Sequence, residues 1–351
     1  MKVGRLVVAV VVGVVVCTAL VSAASRWYGR RQCREVKGML LDSYSVPMWV
    51  DPRTGRRTEF LPPREESWAQ SEIMTFLRPY HHRGRNVVLC LVESMASDEG
   101  NWLLEYSLRG RLLSRRKLPD LSSQQLAISP DEEWVAFERV DAGPAYRVWV
   151  GRLEDPFDGW EIEVPRLPWG ELLWAGEYLY YTVKDGDGAR RVVRVHWRGG
   201  EPEDLGWRGR LITTGGHDPQ RILWVKEDER SGDAVVMEWR RDTDPGRCRE
   251  VWRALSVADA AMEYPGGKYL VRAQRRLLGL VDWRPLMLLV PLQSPEAKKL
   301  FLLDPDQGRA LALPVPARFG DIEYVPEEYL VRAGLRGRSS RSGNDGDEAG
   351  K

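Results

Sequence analysis

The sequence predicts an all-β chain: a six-bladed β-propeller, closed by a composite blade from both ends of the domain and preceded by one N-terminal transmembrane helix. Two observations predict it. Short β-branched and aromatic runs, residues 86–92, 134–139, 178–183, 221–225 and 269–273, recur behind turns; from Val88 through Val135, Leu179 and Leu223 to Leu270 the steps are 47, 44, 44 and 47 residues. A period in the mid-forties is a propeller-blade length, and runs this short, bounded by Gly, Pro and Asp, are strands rather than the helix pairs of a solenoid. The second observation is an apolar stretch of 19 residues, Leu6 to Ala24, before the first repeat.

That stretch would reach roughly 28 Å as a helix, close to the thickness of a bilayer core. Trp27 and Tyr28 follow it, then Arg30, Arg31 and Arg34, as at a membrane interface. Residues 1–25 therefore read as an anchor and 26–37 as a basic stalk. A cleaved signal sequence is the rival, with Val21-Ser22-Ala23 as its cleavage site, although an apolar region of this length exceeds the usual secretory signal. Counting lysines and arginines alone would place the C-terminal side in the cytoplasm, yet long domains translocate largely regardless of flanking charge. The propeller is accordingly expected outside the cytoplasm, single-pass if anchored and secreted if cleaved. Cys17, Cys33, Cys90 and Cys248 are too scattered to form a disulfide framework.

Residues 38–333 form the propeller. After each marked strand come a polar loop and a third strand at 102–106, 146–151, 191–197 or 234–239, then a fourth at 112–117, 161–164, 203–206 or 248–252. With the strand before the first turn, as at 124–128, each unit has four, which is the blade unit of a propeller. Residues 48–50 and 57–61, around Asp51-Pro52-Arg53-Thr54-Gly55, read as the last two strands of a blade. Residues 319–324 and 328–332 read as the first two strands of that same blade, and joining them removes the exposed edges of an open sheet. Residues 334–351 are polar and expected to be disordered.

Ile128-Ser129-Pro130-Asp131-Glu132-Glu133-Trp134-Val135-Ala136-Phe137 resembles the core of the TolB-like, WD40-like (PD40) propeller repeat, S-P-D-G-x-x-[IL]-[AV]-[FY]. Tyr264-Pro265-Gly266-Gly267-Lys268-Tyr269-Leu270-Val271 is a looser copy, and residues 175–181 looser still. Glu132 stands where the pattern has glycine. The resemblance implies a six-bladed binding scaffold and brings no catalytic residues with it. Independently of it, Pro and Asp favour a tight turn beside which the apolar run can pair.

The residues offer little chemistry. H-E-x-x-H, G-x-x-x-x-G-K-[ST] and G-x-S-x-G are absent. Ser114-Arg115-Arg116-Lys117 fits S-x-x-K but sits in a predicted outer strand. His81-His82 and His217-Asp218 fall in turns of different blades and read as surface residues; His196 reads as packing beside Trp197. Asp185-Gly186-Asp187-Gly188 lacks the later oxygen ligands and closing Glu of a calcium loop, and Asp-Gly between strands is an ordinary hairpin signal. The recurrent Trp134, Trp149, Trp174, Trp197, Trp224 and Trp239 read as core and inter-blade packing. No catalytic, cofactor or metal residue is assigned, and no cofactor is expected.

Composition bounds the rest. Apolar residues at 43% exclude a globally disordered chain, and 52 basic against 51 acidic residues exclude a bulk-charge argument for nucleic acid. Local charge is more informative. The loops between second and third strands (residues 93–101, 140–145, 184–189 and 226–233) hold ten acidic against three basic residues, including Glu93, Asp98, Glu99, Asp185, Asp187, Glu227, Asp228 and Glu229. The corresponding loop of the last complete blade is about twenty residues longer. Its stretch 277–292 carries Leu277, Leu280, Trp283, Leu286, Met287 and Leu289, with Asp282 and Arg284 as its only charges. So apolar an exposed segment would be an interaction patch, either a docking surface or a flap near the membrane-facing side; the alternative is that it folds back over the propeller's flank. The reading that follows is a membrane-tethered, non-catalytic propeller that binds another protein or an envelope ligand. The alternative is a propeller enzyme of lyase or hydrolase type, which needs carboxylates or histidines converging on the central channel.

Overall fold

The computed structural model describes residues 36–42, 47–62, 74–94, 101–119, 126–139, 146–164, 172–184, 189–211, 221–227, 234–240, 243–244, 247–254, 258–264, 268–273, 299–304, 309–316 and 322–335. It is an all-β β-propeller whose described strands fall into six four-stranded antiparallel sheets. Five sheets are each built from four consecutive strands. In chain order these are β4 Met74–His82, β5 Val87–Ser94, β6 Asn101–Ser107 and β7 Leu112–Lys117; β8 Leu126–Ile128, β9 Trp134–Arg139, β10 Tyr146–Arg152 and β11 Gly159–Val164; β12 Leu172–Ala175, β13 Tyr178–Lys184, β14 Arg190–His196 and β15 Glu203–Arg208; β16 Arg210–Leu211, β17 Arg221–Glu227, β18 Ala234–Arg240 and β19 Arg249–Ala254; and β20 Ala258–Tyr264, β21 Lys268–Ala273, β22 Lys299–Asp304 and β23 Arg309–Pro316. The remaining sheet joins β24 Ile322–Val325 to β1 Met39–Asp42, β2 Met48–Val50 and β3 Arg57–Glu59.

This joint sheet corrects the expected closure in two respects. The N-terminal part supplies three strands rather than two, because Met39–Asp42 pairs with β24 in the register Met39↔Val325, Leu40↔Tyr324, Leu41↔Glu323 and Asp42↔Ile322. Residues expected as a second C-terminal strand form the helix α1, Glu327–Arg332. Pro326 precedes its first residue, Glu327 and Glu328 fill its first turn, Arg332 its last, and Leu330 is buried. An acidic first turn and basic last turn suit the helix dipole, which outweighs the β-like look of Tyr329 and Val331.

In β5, β9 and β13 the second strand's continuous apolar run is explained by burial on both faces. In β5, Val88, Cys90 and Val92 pack with Leu41, Trp49 and Phe60 of the joint sheet. Val87, Leu89 and Leu91 pack the other way with Leu126, Ile128, Val135 and Phe137 of the next sheet. The same sharing recurs between β8–β11 and β12–β15 and between β12–β15 and β16–β19. A strand buried on both faces reads as an apolar run, not as alternation.

Outer strands carry the charges, and they pair across strands: Arg147 with Glu161 at 2.8 Å, Arg194 with Glu203 at 2.7 Å, Arg57 with Asp42 at 2.8 Å, and Arg191 with Asp204. The Glu238 carboxylate is fully buried and meets Arg221 and Arg249 from both neighbouring strands. A buried carboxylate is tolerable only when so matched.

If the joint sheet is part of one closed ring, its packing must matter as much as any interior strand's. Leu41 in β1 is fully buried, so Leu41→Ala should cost about 2–5 kcal/mol, the cost of an interior leucine. Denaturant unfolding measures it; a cost well below that of Leu104→Ala would mean β1 is an appendage.

Candidate functional site

Antiparallel order gives the ring two unlike faces. The links between second and third strands open on one of them, at the strand-end pairs Glu93↔Asn101, Lys184↔Arg190, Glu227↔Ala234 and Ala273↔Lys299. Glu93 and Glu227 therefore stand at this face. Asp98, Glu99, Asp185, Asp187, Asp228 and Glu229 lie outside the described residues, as do Leu277, Leu280, Trp283, Leu286, Met287 and Leu289. The segment holding that apolar stretch is anchored at Ala273 and Lys299, on the face away from Met39 and Val325.

The opposite face is held by a carboxylate. In the turn after β8, Trp134 N–H donates to Ser129 Oγ at 2.8 Å, Ser129 N–H to the Trp134 carbonyl at 3.0 Å, and Glu133 N–H to Asp131 Oδ1 at 3.1 Å. These bonds place Glu132 at φ 61°, the left-handed region that favours glycine, the residue of the repeat pattern this turn resembles. Glu132 offsets that strain through its side chain. Its Oε1 accepts the Arg83 N–H at 2.7 Å, its Oε2 accepts the Gly84 N–H at 2.7 Å and meets His82 Nδ1 at 2.9 Å, and Tyr80 Oη lies 3.3 Å from Oε1. One side chain thus ties a whole turn of the neighbouring sheet. Burial opposes ionisation, but the His82, Gly84 and Arg83 hydrogen bonds outweigh it and hold the Glu132 carboxyl at about 2.

A second carboxylate joins the same turn to the closing sheet. Glu323 Oε1 in β24 accepts the His81 N–H at 3.3 Å. Burial pushes its carboxyl up to about 8. The His81 ring is 1% exposed; its Nε2 lies 3.2 Å from Asn86 Oδ1, and it meets the Tyr329 ring of α1 edge-on at 4.7 Å. Asn86 Nδ2 in turn donates to the Tyr329 carbonyl at 3.3 Å. Burial lowers the His81 imidazole to about 4, so it is neutral at neutral pH. The expectation that His81 and His82 are surface turn residues is corrected: they are buried because Glu132 and Glu323, distant in sequence, close over them. His217 lies outside the described residues.

The tryptophans divide. Trp174, Trp224 and Trp239 are buried, while Trp134, Trp160 and Trp197 form a partly exposed cluster with ring centroids 5.2–5.5 Å apart. Arg152 lies over Trp134 and Arg198 over Trp197, each at 4.8 Å. His196 stacks on Trp197 and meets Tyr178 edge-on, the packing role expected of it. Glu138 is 6% exposed and pushed up to about 7 by burial, and nothing local in the sequence distinguishes it. Neither Cys90 nor Cys248 is in a disulfide. Among the described residues no group of three or more His, Cys, Asp or Glu is placed to hold a metal ion.

Two outcomes follow. Glu132→Ala keeps the strained backbone and loses the charged hydrogen bonds, so it should destabilise by about 2–3 kcal/mol. Glu132→Gly relieves the strain and should recover about 1 kcal/mol of that; denaturant melts giving Gly below Ala would refute this account of the turn. The second concerns pH. Glu323 binds its proton more tightly folded (about 8) than unfolded (4.5), so stability should fall as pH rises between them. His81 opposes this only below 6.5, its unfolded value, where stability is lost as pH falls toward 4. Between pH 6.5 and 8, therefore, melting temperature should decline for the native chain and decline less for Glu323→Gln.

No family model matches the sequence, and no curated protein matches it. The fold has clear relatives among solved structures. TolB from Acinetobacter baumannii superposes with a TM-score of 0.54 at 13% identity, over 82% of this chain and 65% of that one. A TolB-type protein from Agrobacterium tumefaciens gives 0.51 at 14% identity, over 83% of this chain and 99% of that one. The chain thus spans about two thirds of the first and all but the whole of the second. A puromycin hydrolase matches at a TM-score of 0.48 and 16% identity, over 81% of this chain and 44% of that one. Fold alone does not choose between a binding and a catalytic role; what the comparisons establish is a β-propeller of the kind found in TolB-type proteins.

Proposed function

We propose that this protein is a membrane-tethered, non-catalytic propeller of the TolB-like repeat type, its six sheets serving as the blades of one ring, that binds another protein or an envelope ligand outside the cytoplasm. The observation that carries this is the gathering of the second-to-third strand ends on a single face. The acidic loops and the apolar stretch 277–292 all attach there. Loops presented together on a rigid scaffold are the usual place for recognition. The built Ser129-Pro130-Asp131 turn supports the repeat type, and the apolar residues 6–24 support the tether. Absence of any catalytic motif in the sequence supports a binding role. Among the described residues no helix is long and apolar enough to cross a membrane, and residues 6–24 lie outside them.

Deleting residues 277–292 tests the binding role. As a docking surface the stretch can be removed with the melting temperature unchanged, while chemical cross-links to a partner on intact membranes disappear. Were it core filling, its removal would cost about 1–3 kcal/mol and several degrees. Lost stability with cross-links retained would overturn the proposal.

A further inference from the structure

We infer that the propeller lies on the bilayer with the face at which Met39 pairs with Val325 turned toward the lipid headgroups, an inference that rests on the tether proposed above and adds an orientation to it. Pairing of Met39 with Val325 brings the entry and exit of the domain together at the face formed by the turns after first and third strands. Helix α1 is held to that face: Asn86 donates to the Tyr329 carbonyl and Arg109 Nε to the Ala333 carbonyl at 2.9 Å. The stalk of residues 26–37 reaches at most about 40 Å when extended. It carries Arg26, Arg30, Arg31, Arg34 and Lys37 against Glu35 alone. A basic stalk is drawn down onto anionic headgroups, so the face from which it emerges meets the membrane first.

That face is also the one with apolar groups to offer. Among the described residues four large apolar side chains are exposed: Phe157 at 57%, Val331 at 52%, Leu335 at 38% and Leu113 at 50%. Phe157 sits in the turn between β10 and β11, Val331 on α1 and Leu335 just beyond it; only Leu113 is elsewhere, on the outer strand β7. The Trp134, Trp160 and Trp197 cluster opens on the same face, flanked by Arg152 and Arg198. Indole rings with arginines beside them suit the headgroup layer, where apolar rings sink and guanidinium groups reach water and phosphate. Chain path, stalk charge and the exposed apolar and indole side chains together favour an anionic bilayer surface as the occupant; the exposed carboxylates of Glu154, Asp155 and Asp158 beside Phe157 count against it.

The test places the photo-reactive residue benzoylphenylalanine at Phe157 or at Arg190, an exposed residue at the opposite face, in the full chain. Each variant is reconstituted into vesicles of phosphatidylcholine with phosphatidylglycerol, floated and illuminated. Phe157 is too exposed for this change to disturb folding. The expected result is a chain that floats, with a lipid adduct at 157 and none at 190. A floating chain whose adduct at 157 is to a second copy, or which labels lipid only at 190 or nowhere, overturns the orientation and leaves the tether standing. A chain that does not float overturns both.

Discussion

Four residue pairs, Met39↔Val325 to Asp42↔Ile322, decide most of what this molecule can do. Without them the first and last sheets would each present an unpaired edge, and an exposed edge is a template for aggregation. With them, the apolar faces of β5 and its neighbours have a partner on either side. The same pairs oblige the chain to enter and leave on one face, which gives an otherwise nearly symmetric ring a top and a bottom. Tyr324 reinforces the join by donating its hydroxyl to the Lys37 carbonyl at 2.9 Å.

Two carboxylates extend that constraint around the ring, and they work in opposite protonation states. Glu132 is ionised because three donors converge on it; Glu323 is driven toward its neutral form by burial despite the His81 N–H. Between them they grip residues 81–84 from both sides. Among the described residues, His81, His82, Glu132 and Glu323 are occupied with joining sheets.

Much of the architecture was legible because blade strands are local: period, length and bounding turns lie within a few residues of one another. The five marked runs coincide with β5, β9, β13, β17 and β21. Closure was legible only in part. Met39–Asp42 is too short to stand out, and Tyr329 and Val331 lend α1 the look of a strand, although Pro326 with Glu327 and Glu328 carries the signal of a helix start. The roles of Glu132, His81 and Glu323 were hidden for a different reason. Glu132 reaches groups 48 to 52 residues away and Glu323 reaches His81 across 242 residues, and no local pattern encodes such contacts. The glycine-to-glutamate departure at 132 was visible, but not its compensation. For the face that gathers the loops, composition pointed to acidic and apolar character, while only topology placed the strand ends Glu93 and Glu227 on that same face.

Ring closure is the claim on which the rest stands, and native-state hydrogen exchange followed residue by residue tests it most directly. If β1 and β24 close a single cooperative ring, the amides of Met39–Asp42 and Ile322–Val325 will exchange together, through the same opening that exposes β4 and β5. Exchange of Met39–Asp42 orders of magnitude faster than β5, with Ile322–Val325 left behind as a separate slow group, would contradict it.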